Sequence, residues 1–265
     1  MRRMIGSLLL TLVAYLPALA TPPDALIFCH EDQTSYPWEL KDGSGLNIIL
    51  LEMLARRLEI TIELPAVPWK RCLQGLADNI YHGAFAASFK PERAAFAHYP
   101  RRADGSLDAS RRLHTSGYTL YKLKASKLNW DGQRFTHLGP DDTIGYQTAF
   151  SIGDTLKALG VANLDDGSKI AERILEKLLL NRLAGVALQS FNGDQLLRSI
   201  PEFQHRIVAI DTPLITKPYF LILSKQMVAA HPQLARAIWT FIKEIRESQA
   251  YQKQADAFLA RHRHR

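Results

Sequence analysis

"GAFAASFKPERAAFAHYP", residues 83–100, runs as a short apolar strand and then breaks at Lys90-Pro91 into the start of a helix. Proline suits the first helical position, because its φ is already set and the N–H it lacks is one a helix leaves unpaired there. Glu92 stands where the positive end of the helix dipole favours an acid. Arg93 follows directly. A strand handing over to a helix is the unit from which α/β sheets are built, so the rest of the chain should repeat it.

It does so on both sides. Upstream, "ALIFCH" (25–30) is a compact apolar run, and "LNIILLEMLARRLE" places Leu46, Ile49, Leu50, Met53, Leu54 and Leu58 at helical spacing. "ITIEL" (60–64) alternates as a half-buried strand does, and a helix is expected from Trp69 to Ala77. Residues 101–112 are polar and contain Asp104-Gly105, which reads as a loop. "GYTLYKL" (117–123) is a long strand. A second set follows: strands at "TIGYQ", "VANLD", "GVALQ" (185–189) and "RIVAI" (206–210), with helices at "SIGDTLKAL" and "KIAERILEKLLL". "YFLILS" (219–224) is another strand, ahead of helices near 231–247 and 249–261. The fold class is therefore α/β with a mainly parallel sheet. Two sets of similar size, joined by extended segments near 117–123 and 211–220, suggest two lobes with a cleft between them.

The first twenty residues carry Arg2 and Arg3, an apolar run closed by Pro17, and the small-x-small site Ala18-Leu19-Ala20. This pattern is a secretory leader cleaved after Ala20, the alternative being a membrane anchor. The expected compartment is the periplasm. The formal charge of +7 falls to +5 without Arg2 and Arg3. The basic stretches "RRADGSLDASRR" and "RHRHR" lack interleaved aromatics, so no nucleic-acid partner is expected. Cys29 and Cys72 are read as two buried thiols, with a disulfide between them as the alternative in an oxidising compartment.

HExxH, GxSxG, Walker A and GxGxxG signatures are absent and the nine histidines are scattered, so no metal or cofactor is expected. Instead, four stretches carry a resemblance: "SYPWE", "VPWKRCLQGL" with "HGAFAASFKPERAAFAHYP", "TIGYQTAFSIGD", and "LLLNRLAGVALQ". From Ala25 to about Ala260 the chain resembles periplasmic solute-binding proteins of the polar amino-acid transport type (bacterial extracellular solute-binding family 3). The resemblance implies two Rossmann-like lobes joined by two hinge strands, the type II periplasmic binding protein fold. Lobe 1 would span 21–117 and 218–265, and lobe 2 would span 122–214. A monomer that encloses a small-molecule solute and delivers it to an inner-membrane ABC permease is implied. The rivals are a ligand-sensing subunit of the same fold, and a periplasmic enzyme in the same cleft with Asp32 or His30 as its acid or base.

The resemblance also assigns site residues. Arg93 would grip a ligand carboxylate through its planar fork, with Ser88 at the preceding strand end beside it. The alternative for Arg93 is a surface ion pair with Glu92 or another acid. Ser151 would meet the carboxylate from the other lobe, or serve only as a helix cap. Tyr36, Trp38, Trp69 and Phe150 are the aromatics near the cleft, with core packing the alternative for Trp38 and Trp69. Arg71 is a second candidate for an anionic group. Lys90 replaces the family's usual threonine. Gln189 and Ala184 stand where acids are usual, so the family's carboxylate for a ligand ammonium is missing from lobe 2, and Asp32 is the candidate to supply that charge from lobe 1.

Overall fold

The computed structural model describes residues 23 and 25–262. The leader with its cleavage site and the last three residues of the basic tail lie outside the described residues. In chain order the elements are β1 (Ala25–Glu31), α1 (Leu46–Leu58), β2 (Thr61–Glu63), β3 (Ala66–Val67), α2 (Trp69–Ala77), β4 (Gly83–Ser88), α3 (Pro91–Ala94) and β5 (Ala97–His98). Next come β6 (His114–Leu123), β7 (Asn129–Trp130), β8 (Phe135–Thr136), β9 (Thr143–Gln147), α4 (Ile152–Ala158), β10 (Asn163–Ser168), α5 (Ala171–Leu179) and β11 (Gly185–Gln189). The chain continues through α6 (Ser190–Ser199), α7 (Pro201–Arg206), β12 (Ile207–Ala209), β13 (Ile215–Ser224), α8 (Lys225–Ala230), α9 (Pro232–Glu247) and α10 (Gln249–His262).

The main sheet runs β10-β9-β11-β6-β13-β4-β1-β2. β1 is parallel to β2 and β4, and β9 is parallel to β10 and β11. Between these parallel sets stand β6 and β13, antiparallel to each other and to their outer neighbours. The sheet is thus mixed rather than mainly parallel, because two long return strands close the gap between its halves. Their register is specific. Tyr118 on β6 faces Ile215 on β13 and Gln189 on β11, while Tyr219 on β13 faces His114 and Ser88.

Each half has its own apolar core. On one side of the first half, Leu50, Leu51 and Leu54 of α1 pack with Ile238 and Ile242 of α9 and Phe258 of α10. In the second half, Ile174, Leu175 and Leu178 of α5 pack with Val186 and Leu188 of β11. These are the faces that the helical spacing selects. α6 was not expected, since its sequence has no apolar stripe: it is held by Gly193, which lies against the ring of Tyr121 where a Cβ would come within 2.3 Å. Cys29 and Cys72 are not free thiols; they form a disulfide that ties β1 to α2 at a Cα–Cα distance of 5.6 Å. Residue spacing could not reveal this, because it depends on α2 docking Cys72 against the buried face of β1.

Candidate functional site

Four strands of the parallel sets end on one cleft. Glu31, Ser88, Gln147 and Gln189 are the last residues of β1, β4, β9 and β11, and all four line it. In open α/β sheets, this crevice beyond the strand carboxyl ends is where ligands bind. β6 and β13 complete its floor with the phenols of Tyr118 and Tyr219.

Arg93 is only 4 % exposed although it follows a surface-like "KPE". Pro91 occupies the start of α3 as expected. The guanidinium Nη1 donates to the Ser88 carbonyl (2.8 Å) and hydroxyl (3.3 Å), and Nη2 donates to the Ala149 carbonyl (3.4 Å). Its carbon lies 5.3 Å from the Trp69 ring centre, a cation–π distance. A left-handed backbone at Ala149 (φ 63°) turns the chain where that carbonyl accepts. The surface pairing with Glu92 does not occur: the partners of Arg93 are neutral oxygens. Ser151 precedes α4 without capping it by its side chain. Its hydroxyl instead meets that of Ser88 across the cleft at 2.7 Å and accepts from Lys217 Nζ at 3.3 Å.

Two acids also face this space. Glu31 accepts from the backbone N–H of Gln33 (3.3 Å) and of Trp69 (3.2 Å). Burial, and then the neighbouring Asp32, push its carboxyl up to about 7. Glu39 is buried in the first loop, and desolvation pushes its carboxyl up to about 8. That loop is pinned to α1 by bonds from Leu46 N to Pro37 O (3.0 Å) and from Asn47 N to Trp38 O (3.1 Å). The Asn47 amide donates to Glu39, and its oxygen accepts from His114 Nδ1 at 3.1 Å. His114 is sandwiched between Trp38 (ring centroids 3.9 Å) and Tyr219 (4.9 Å), and burial holds its imidazole down to about 3, in the neutral form.

Of the residues singled out in the sequence, Arg93, Ser88, Trp69, Phe150, Ser151 and Gln189 are brought together on the cleft walls. Gln189 accepts from the Ser35 hydroxyl (2.8 Å) and donates to the Tyr219 phenol (3.2 Å). Asp32, Tyr36, Trp38 and Arg71 are not on those walls. Asp32 pairs with Lys169 (2.9 Å), and a hydrogen bond with the Glu31 carboxyl, helped by that lysine, holds it well below the usual carboxylate range. Trp38 is packed on His114, Tyr36 is partly buried in the same loop, and Arg71 is exposed on α2. His30 is buried against Phe85, and burial lowers its imidazole. Glu31, Glu39, Gln147, Asn192, Tyr118 and Tyr219 also line the cleft and are not among the candidates drawn from the sequence. The rule that strand ends line the cleft would have found Gln147, and Glu31 lies one residue past the expected end of its strand.

No protein-family model and no curated protein sequence matches the chain. Solved structures do match. A putative binding component of an ABC transporter from Wolinella succinogenes, complexed with lysine, superposes with a TM-score of 0.67 at 16% identity, covering 90% of this chain and 95% of that one. The GluR0 ligand-binding core from Nostoc punctiforme, with L-glutamate, gives 0.66 at 16% over 88% and 98%. An ancestral amino-acid-binding protein, described as a precursor of cyclohexadienyl dehydratase, gives 0.63 at 16% over 89% and 95%. The chain has the type II periplasmic binding protein fold. In that fold the lobes meet over the cleft, and here they are linked directly by Lys90–Asp154 (2.7 Å), Asp32–Lys169 and Ser88–Ser151. Among the described residues no helix is long and apolar enough to cross a membrane.

Proposed function

We propose that this chain is an exported receptor of the polar amino-acid transport type. It closes around a small carboxylate-bearing, amino-acid-like solute and passes it to an inner-membrane ABC-type permease. The observation that carries this reading is Arg93, a buried guanidinium on the cleft wall whose hydrogen-bond partners among the described residues are neutral oxygens. A solute carboxylate gives that fork two charge-assisted hydrogen bonds, and the facing Ser88 and Ser151 hydroxyls supply donors beside it. Lobe 1 is 21–117 with 218–265 and lobe 2 is 122–214; closure is a hinge at 117–123 and 211–220, where Tyr118 pairs with Ile215. Export rests on the leader, and the permease rests on the ABC-transporter component among the structural neighbours. Thermal-shift screening of the mature protein against amino acids and organic acids, followed by calorimetry, tests this. Stabilisation by carboxylate solutes is expected, and none by any of them would sink the reading.

A second reading, an enzyme in the same cleft, is favoured by Glu31 and Glu39, which keep their protons toward neutral pH as a general acid must. NMR of the solute after prolonged incubation separates the two readings. An unchanged solute is expected of a receptor, and conversion would make the chain an enzyme.

A further inference from the structure

Charge in the cleft is unevenly shared. Among the described residues on its walls, the charged groups are Arg93, Glu31 and Glu39, all from one lobe, while Gln147, Ser151, Gln189 and Asn192 of the other are neutral. Glu31 already has both oxygens engaged by backbone N–H groups. Glu39 does not. It is 5 % exposed and accepts from Asn47, and among the described residues no cation offsets its burial. We propose that Glu39 is the counter-ion for a cationic group on the solute, so that the site selects ammonium-bearing carboxylates over plain ones and releases a proton as it binds them. This rests on the receptor reading above. It also answers the question left by Gln189, since the missing lobe 2 carboxylate is replaced from lobe 1.

A buried carboxyl without a cation keeps its proton, because desolvation disfavours the charged form. An ammonium group entering beside Glu39 reverses that preference, and the Oε–H proton leaves to solvent while the carboxylate pairs with the ligand. The surrounding groups do not absorb this change. His114 is held neutral, and burial raises the phenols of Tyr118 and Tyr219 further from titration. Arg93 is the cation on the same lobe, and Asn47 does not titrate. On its other side Glu39 borders a groove with His30, Asp32, Lys41 and Glu52. There, Asp32 is held ionised by Glu31 and Lys169, and burial keeps His30 neutral. Glu31, at about 7, is the group that needs a control.

The test is calorimetry at pH 7 in phosphate and in Tris, with matched probes: L-glutamate against glutarate, L-norleucine against hexanoate, L-phenylalanine against 3-phenylpropionate. In whichever pair binds, the amino acid should bind at least tenfold more tightly and release more than about half a proton per ligand, since a carboxyl pushed up to about 8 is mostly protonated at pH 7. Glu39→Gln should lose the release and most of the preference. Equal binding of a plain carboxylate, preference without proton release, or release that survives Glu39→Gln and disappears in Glu31→Gln would each overturn the proposal. If none of these binds, the pair is the amino acid that the thermal-shift screen returns and its deaminated counterpart, and if that screen returns no carboxylate solute the receptor reading itself fails. The wild-type proton count keeps the test sound even if a variant folds poorly.

Discussion

Arg93 and Glu39 sit on one lobe, and only the first was legible. Arg93 announces itself, because a strand running into Pro91-Glu92 aims the next side chain at the strand's carboxyl end. Glu39 reads as an ordinary loop acid; it becomes a buried group only when the loop folds back on α1 and Asn47 takes hold of it. Arg93→Lys is the sharper test of the carboxylate grip, since an ammonium cannot reproduce the planar fork. Arg93→Ala should cost about 2–5 kcal/mol of binding, roughly 30-fold to several-thousand-fold in Kd by calorimetry, and Arg93→Lys should also bind substantially more weakly than wild type. Wild-type affinity in that variant would refute the assignment. Glu39 has a stability signature too. Its folded value is raised from 4.5 to about 8, so the native state keeps a proton that the unfolded chain releases. Below pH 4.5 the group contributes nothing; from there to pH 8 it destabilises the free protein progressively. The Tm advantage of Glu39→Gln over wild type should therefore grow from pH 5 to pH 8, and a flat or falling difference would contradict a buried, protonated Glu39.

At the level of elements, apolar periodicity located the helices and strands that build the two cores, because burial of a stripe is what selects them. It passed over α6, whose polar sequence is held by the contact of Gly193 with Tyr121, and it did not anticipate that β6 and β13 run antiparallel between two parallel sets. The Cys29–Cys72 bridge was the other element-scale surprise. It joins residues 43 apart in sequence, clamping β1 to α2 in the same apolar cluster as Trp69, whose ring lies against Arg93. Closing a loop of that length stabilises the fold by about 4 kcal/mol in the chain-entropy treatment. Reduction, or the Cys29→Ser/Cys72→Ser double variant, should lower the Tm substantially. It should also weaken solute binding near physiological temperature, as the Trp69 platform loosens. An unchanged Tm after verified reduction would show that β1 and α2 hold together without the bridge.

At the scale of the whole molecule, the fold class was legible from strand–helix alternation, but the contacts that span the cleft were not, because they join residues far apart in sequence. Lys90 is the clearest case. Against the family pattern that the sequence resembles it reads as a departure from threonine; in the structure it reaches Asp154 of α4, and Lys169, on the Asp154 side of the cleft, reaches back to Asp32. Both pairs are partly exposed, so each contributes at most about 1 kcal/mol, and salt screens them. Together they can bias the proposed hinge by up to about 2 kcal/mol, roughly 30-fold in the closed-to-open ratio. The Lys90→Ala/Lys169→Ala double variant, studied without solute by small-angle scattering, should show a larger radius of gyration than wild type. Raising the salt should enlarge the wild type and leave the variant unmoved, since screening acts on pairs the variant no longer has. Equal radii at low salt, together with the same salt response in both proteins, would mean that closure is governed by the cleft itself and that Lys90 and Lys169 only decorate its rim.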